Sequence, residues 1–303
     1  MKIVKEKLTW IDITKPTEKD IEFVRKQEKF HPIILDELLH TSARARVEPY
    51  PHYIFLTYHM PMYDTVTRTS RKAEIDFLIT KNKVITVHYE ELEPINNFWR
   101  KLSNDKNFRE LVLKENSGKL TYYFIQEILE FSNRQIRHIE ESVTDIARQL
   151  FQKKESELLE HISYVKRNIL DYRIINKPQE IILKSLKETS VKFWTDDIKV
   201  YFSDLVGDHL KITQQIENFK ETVESLEETN AQLLAAKTNA VVQRFSVLAF
   251  LTFPLILVIG IFTVPALDRL IDGKSALPFI ISLILAIIFN TILFLFFRKK
   301  KWL

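Results

Sequence analysis

The apolar positions of this chain change their rhythm along its length, and each rhythm predicts a different kind of element. Up to about Glu93, short apolar runs (Ile11 to Ile13, Tyr53 to Tyr58, Phe77 to Ile79, Val84 to His88) alternate with stretches that Pro16 and Pro32 open at first-turn helical positions. The runs at 53 to 58 and 84 to 88 are rich in β-branched and aromatic residues, which suit a sheet covered on at least one face. Residues 1 to 118 are therefore predicted to form an α/β domain. From about Lys119 the spacing becomes helical: Ile125, Leu129, Ile136, Ile139, Val143, Ile146 and Leu150 follow steps of three and four, with Ser132 as the polar member. A second stripe of Leu158, Ile162, Val165, Ile169 and Tyr172 stops at Pro178, and residues 119 to 198 read as a helical hairpin region.

From Lys199 onward Ile212, Ile216, Phe219, Val223, Leu226, Asn230 and Leu233 keep a heptad spacing, and no proline interrupts before Pro254. One helix is predicted to run from a stalk at 199 to 244 into the uncharged block Phe245 to Val264. A spanning helix needs about 20 apolar residues to cross roughly 30 Å of hydrocarbon, so 245 to 264 is predicted as transmembrane helix 1. Ala276 to Phe297 is also uncharged, with Pro278 near its start, and is predicted as transmembrane helix 2. A helix from Lys199 to Val264 spans on the order of 100 Å, too long to stand alone. Its repeat favours association with identical helices, predicting a homo-oligomer with the stalk at its centre and the first membrane helix on the axis. Periodicity does not count the subunits.

Charge gives these segments a direction. Lys237 and Arg244 precede the first span, and Arg298, Lys299, Lys300 and Lys301 follow the second, which predicts a multi-pass protein of the plasma (inner) membrane with both termini cytoplasmic. Residues 265 to 275 then form an extracytoplasmic loop, whose Asp268, Arg269, Asp272 and Lys274 cancel, and 298 to 303 form a basic cytoplasmic tail. No cleavable apolar stretch occurs at Met1 to Trp10, so the N-terminal domain is expected to stay where it is made. The 303 residues contain no cysteine, which excludes disulfides, thiol nucleophiles, zinc-thiolate sites and iron–sulfur clusters. Four glycines leave little room for glycine-rich phosphate loops. A net charge of +4 on 44 basic and 40 acidic residues is too small to indicate nucleic-acid binding.

Several motifs together resemble the CorA family of divalent metal-ion transporters over almost the whole chain. Phe30-His31-Pro32-Ile33-Ile34-Leu35-Asp36-Glu37-Leu38-Leu39, followed by Arg44-Ala45-Arg46-Val47-Glu48 and Tyr50, is similar to a segment of that family. Tyr201-Phe202-Ser203-Asp204 with Asp208-His209 resembles the start of its stalk helix, Thr238-Asn239 its approach to the membrane, and Phe297 to Leu303 its basic C-terminus. The resemblance implies a CorA-like funnel: a homopentamer with a cytoplasmic α/β domain, a long stalk helix ending as the pore-lining first membrane helix, and a peripheral second one. Carried over position by position, it implies a pore lined by Asn239, Val242, Phe245, Ala249, Phe253, Ile256 and Gly260, of which only Asn239 is polar. Rings of Phe245 and Phe253 in such a pore would gate by dewetting or block conduction when closed.

The family's Gly-Met-Asn at the pore mouth is absent. Either Thr263, Val264 and Pro265 stand in its place, or Val264-Pro265-Ala266-Leu267 matches the segment that follows and the motif is deleted. No asparagine then meets the hydrated ion at the entrance. The resemblance also implies a regulatory cytoplasmic cation between subunits, with Asp204 and Glu228 at positions matching its acidic ligands, and a basic ring of Lys299, Lys300 and Lys301 that alternatively anchors the helix at anionic headgroups. No cofactor is expected, only a divalent cation as substrate and regulatory ligand, with Mg2+ or a related ion such as Co2+, Ni2+ or Zn2+ as cargo.

Other residues carry weaker signals. Glu217, Glu221, Glu224, Glu227 and Glu228 crowd one stretch of the stalk, where carboxylates repel unless a cation bridges them or water solvates the face. Asp36 and Glu37 follow Pro32 and read as first-turn acids complementing a helix dipole, not as an acid/base pair. His52, His59 and His88 read as core or surface histidines, and Asn290, costly in lipid, is expected to face a neighbouring helix. The functional expectation is a homopentameric divalent-cation channel gated by cytoplasmic ion. The alternatives are a non-conducting relative that senses ions or binds other membrane proteins, and a membrane-anchored enzyme, for which no nucleophile–base arrangement speaks.

Overall fold

The computed structural model describes residues 1–150, 155–263 and 277–300. They fall into two compact units, Met1–Glu227 and Glu228–Leu303, and one helix contributes to both.

The first unit is built on a six-stranded mixed sheet. β1 (Lys2–Lys5), β2 (Thr9–Thr14), β3 (Arg46–Pro49), β4 (Tyr53–Asp64), β5 (Thr69–Thr80) and β6 (Lys83–His88) lie in the order β1-β2-β6-β5-β4-β3. Only β2 and β6 pair in parallel; the other neighbours are antiparallel. β1 and β3 went unpredicted because each is a short edge strand without a buried residue, so neither has an apolar run to announce it. On one face Ile11, Ile13, Phe55, Leu78, Ile85 and Val87 pack with Ile21, Val24, Ile34 and Leu35 of α1 (Glu18–Arg25) and α2 (Pro32–Glu37). Thr17 caps α1 reciprocally with Asp20, placing Pro16 just outside the helix. Asp36 and Glu37 are the last two residues of α2, not its first turn. The dipole account fails for them, and Glu37 instead forms an ion pair with Arg46 of β3.

The opposite face carries Trp10, whose ring meets Phe98 at 5.5 Å and Phe124 at 5.3 Å between centroids. These come from α3 (Glu93–Asn104) and α5 (Ser117–Gln149), with α4 (Lys106–Leu113) between them in sequence. α6 (Glu155–Asn176), α7 (Gln179–Phe193) and α8 (Ile198–Thr263) follow. Among the described residues the region from 119 to 198 therefore holds α5, α6 and α7, the chain restarting as α7 at Gln179 directly after Pro178. Every apolar member of the two predicted stripes, from Ile125 to Leu150 and from Leu158 to Tyr172, is buried.

In the second unit the end of α8 packs against α9 (Leu277–Lys299), and each is long and apolar enough to cross a membrane. Phe250 meets Phe297 at 6.4 Å and Phe262 meets Phe279 at 5.2 Å between ring centroids. Those two contacts make the pair antiparallel.

Candidate functional site

In the stalk portion of α8 within the first unit, Glu217, Glu224 and Glu227 find protein cations while Glu221 is exposed. Glu217 pairs with Arg173 and Glu227 with Lys166, both on α6, the latter at 2.5 Å between Nζ and Oε2. Glu224 lies 3.5 Å from Lys220 one turn away. The expected repulsion is thus partly relieved inside one chain, at Glu217 and Glu227 by bases on α6 and at Glu224 by Lys220. Sequence pattern could have found this, since Lys166 and Arg173 are seven residues apart and share a helix face.

Asp204, the first implied regulatory acid, is exposed, and its Oδ2 accepts the Tyr122 hydroxyl at 2.9 Å. Burial and that hydrogen bond push the Tyr122 phenol well above its ordinary value, so it stays a donor. Five residues on, His209 is fully buried with no hydrogen-bond partner on either ring nitrogen among the described residues. Burial lowers its pKa to about 4, partly opposed by Glu180 of α7. Sequence reasoning had taken His209 only as part of a motif.

Glu228, the second implied acid, is exposed in the second unit and accepts from the Gln232 amide at 3.3 Å. Among the described residues no group of three or more His, Cys, Asp or Glu is arranged to hold a metal ion. Asp204 and Glu228 each retain free carboxylate oxygen of the hard kind that Mg2+ takes. A complete ligand set within one chain is not present among the described residues.

The apolar end of α8 has two unlike faces. Val247, at 1% exposure, and Val258, at 8%, are buried on the side that meets α9, which buries Ala286 and Phe297 in return. At 3.6 residues per turn Val242, Phe245, Ala249, Phe253, Ile256 and Gly260 of the implied pore-lining set fall on the far side, and Asn239 about a quarter turn from that contact. All of it is exposed: Asn239, Ala249 and Gly260, with Val242 at 56%, Phe245 at 67%, Phe253 at 64% and Ile256 at 63%. The place a Cβ would take at Gly260 is open, so nothing among the described residues requires glycine there. Thr263 ends α8 with its hydroxyl on the Gly260 carbonyl at 2.9 Å. Val264 and Pro265 of the implied pore mouth, and Lys301 of the basic ring, lie outside the described residues. Lys299 closes α9, and Lys300 lies over the Phe296 ring at 5.3 Å.

A stalk helix running into an apolar span with one satisfied and one open face, paired with a second span, is a specific architecture. The family model described as CorA-like Mg2+ transporter protein matches residues 5–299. The cobalt/magnesium transport protein CorA of Thermotoga maritima is 22% identical over 299 residues, covering 97% of this chain and 83% of that protein. The protein of the same name from Methanocaldococcus jannaschii is 21% identical over 307 residues, covering 98% and 92%. The solved CorA magnesium transporter of M. jannaschii superposes with a TM-score of 0.82 at 19% identity, covering all of this chain and 94% of that one, a likeness of fold. With a family model spanning nearly its whole length, the chain belongs to the CorA-like Mg2+ transporters.

Proposed function

We propose that this protein assembles as a homopentamer in the plasma (inner) membrane, both termini cytoplasmic, and passes a divalent cation through a central pore lined by α8. The observation that carries this reading is the exposed face of α8 opposite its contact with α9. Copies of the chain meeting along that face would enclose an axis lined by Asn239, Val242, Phe245, Ala249, Phe253, Ile256 and Gly260. Mg2+ gives up water reluctantly and is best passed hydrated, so the Phe245 and Phe253 rings act as a dewetting gate that must widen for conduction. Magnesium and cobalt, which the names of its relatives specify, are the first cations to test.

The gate is set by cytoplasmic cation. Asp204 and Glu228 from different subunits hold hydrated Mg2+, which neutralises their repulsion and favours the closed pentamer; loss of the ion releases it. The basic residues Lys299, Lys300 and Lys301 ring the cytoplasmic side.

One observation favours a second reading, a relative that no longer conducts and instead senses ions or binds other membrane proteins: Gly-Met-Asn is missing at the mouth. Divalent uptake into proteoliposomes, comparing Mg2+, Co2+, Ni2+ and Zn2+ with and without a pH gradient, separates the two. Saturable movement of one ion supports transport; no movement by an intact pentamer supports the second reading.

A further inference from the structure

The polar side chains of α9 differ in how they are satisfied. The Ser282 and Thr291 hydroxyls donate to carbonyls of their own helix, Phe279 at 2.9 Å and Ile287 at 2.8 Å. Asn290 makes no such bond, and its Oδ1 is buried without a hydrogen-bond partner among the described residues. Helical spacing places Asn290 on the stripe of Ala286, Leu293 and Phe297, the stripe that meets α8. The contacts Phe250–Phe297 and Phe262–Phe279 bracket this antiparallel pair at its two ends. Counted from either contact, Asn290 falls opposite the stretch 251 to 257, which Pro254 centres.

Pro254 lies inside α8 and has no N–H, so the Phe250 carbonyl four residues earlier has lost its helical donor. In hydrocarbon such a carbonyl is costly unless another group reaches it. The facing stripe of α8, Val247, Leu251, Pro254 and Val258, offers no side-chain donor to Asn290 Oδ1. The two ends of an amide are distinguished by the hydrogen bonds they make. With its oxygen inward Asn290 has nothing to accept from, whereas with its nitrogen inward it faces the level of a carbonyl that lacks a donor.

We infer that Asn290 Nδ2 donates to the Phe250 carbonyl freed by Pro254, tying α8 to α9 at the proline. Asn290 is then a positioning residue. Pro254 sits between Phe253 and Ile256, so the tie sets how that stretch of the open face is held. The hydrogen bond stands without conduction; its bearing on a pore rests on the proposed function.

The test is a double-mutant cycle on the full-length protein in one detergent: wild type, Asn290→Leu, Pro254→Ala and both together, read by thermal midpoint and by divalent uptake in proteoliposomes. Asn290→Leu lowers the midpoint while Pro254 is present, and Asn290→Gln, which keeps a donor, loses less. In the Pro254→Ala background the restored N–H serves the Phe250 carbonyl within α8, and most of the loss from Asn290→Leu disappears. Equal loss in both backgrounds, or no loss with Pro254 in place, overturns the inference. Uptake should show the same non-additivity; if the wild type moves no ion, the midpoints still decide the hydrogen bond and only the pore reading fails.

Discussion

Lys166 of α6 reaches Glu227 of α8 with 2.5 Å between Nζ and Oε2, and Arg173 meets Glu217 on the same pair of helices. Position increases along α6 as it decreases along α8, so the two pairs clamp antiparallel helices. Between the clamps lies a pocket of about 240 Å3 floored by Ile169 and Leu170. The two ion pairs therefore bracket a partly apolar pocket on this seam. Glu217 and Glu227 are thus satisfied within one chain, whereas Asp204, Glu221 and Glu228 stand exposed on the same helix.

The Lys166–Glu227 clamp should be measurable but small. Its side chains are 40% and 36% exposed, where water and salt screen an ion pair to about 0.2–1 kcal/mol. A double-mutant cycle with Lys166→Ala and Glu227→Ala should give a coupling in that range at low salt that fades as salt rises. A coupling that salt leaves unchanged would show that the contact is packing rather than charge.

Neutralising the unclamped acids should act differently. Asp204→Asn with Glu228→Gln is expected to remove the magnesium dependence of stalk proteolysis, because the carboxylates that an intersubunit ion needs are gone. Glu217→Gln with Glu227→Gln, which touches only the clamp, should leave that dependence in place. Protection of the doubly neutralised Asp204/Glu228 protein that still rises across a magnesium titration would refute the regulatory role.

Phe253 tests the gate. Its ring is 64% exposed on the open face of α8 and packs on little within its own chain. Phe253→Ala should therefore cost little stability while raising resting divalent uptake several-fold, since the wider opening no longer holds water out of the axis. A loss of assembly without added leak would mean that the ring is an interface residue instead.

These contrasts mark what the sequence could and could not disclose. The long helices were legible because a buried stripe repeats every three or four residues, and Ile125 to Leu150 or Leu158 to Tyr172 carry that repeat almost unbroken. β4 and β5 were seen only in part. Each runs twelve residues, and their buried faces include Thr57, His59, Glu74 and Asp76, which pattern reading counts as polar and assigns outside. The cross-strand pairs Thr57↔Asp76 and His59↔Glu74 satisfy them, with side-chain distances of 2.6 and 3.0 Å. The position of Asp36 and Glu37 was misread because α2 is only six residues long, so a residue near its start is also near its end. The pore-lining set is implied through resemblance only, and local patterning alone does not distinguish an apolar side turned to lipid from one turned to another copy.

Asp76 should give the protein an unusual response to base. It is 1% exposed, and burial raises its carboxyl to about 7 despite hydrogen bonds from Thr57 and Tyr89. The folded chain therefore holds a proton that the unfolded chain has already released, and the associated stability is present at low pH and lost as pH rises through about 7. Asp76→Asn should remove that loss, raising the thermal midpoint at pH 8 relative to wild type by the equivalent of a few kcal/mol at most. No gain at pH 8 would show that the carboxylate is satisfied where it stands.

His209 works in the opposite sense, and the two together shape the acid limb. Its folded pKa of about 4 lies below the ordinary imidazole value of 6.5. The unfolded chain takes up a proton first as pH falls, so stability is full above about 6.5 and declines toward 4. Over that window the Asp76 contribution is growing with acidity while the His209 contribution is shrinking, and the two slopes largely cancel in the wild type. Replacing either group exposes the other: Asp76→Asn should steepen the loss of stability below pH 6, and His209→Leu should make the protein gain stability over the same range. Leucine also removes two buried nitrogens without partners, so the His209→Leu protein should be more stable than wild type even at pH 8, by roughly 1–2 kcal/mol. A less stable variant at both pH values would mean that His209 makes a contact, through water or another subunit, that offsets its burial.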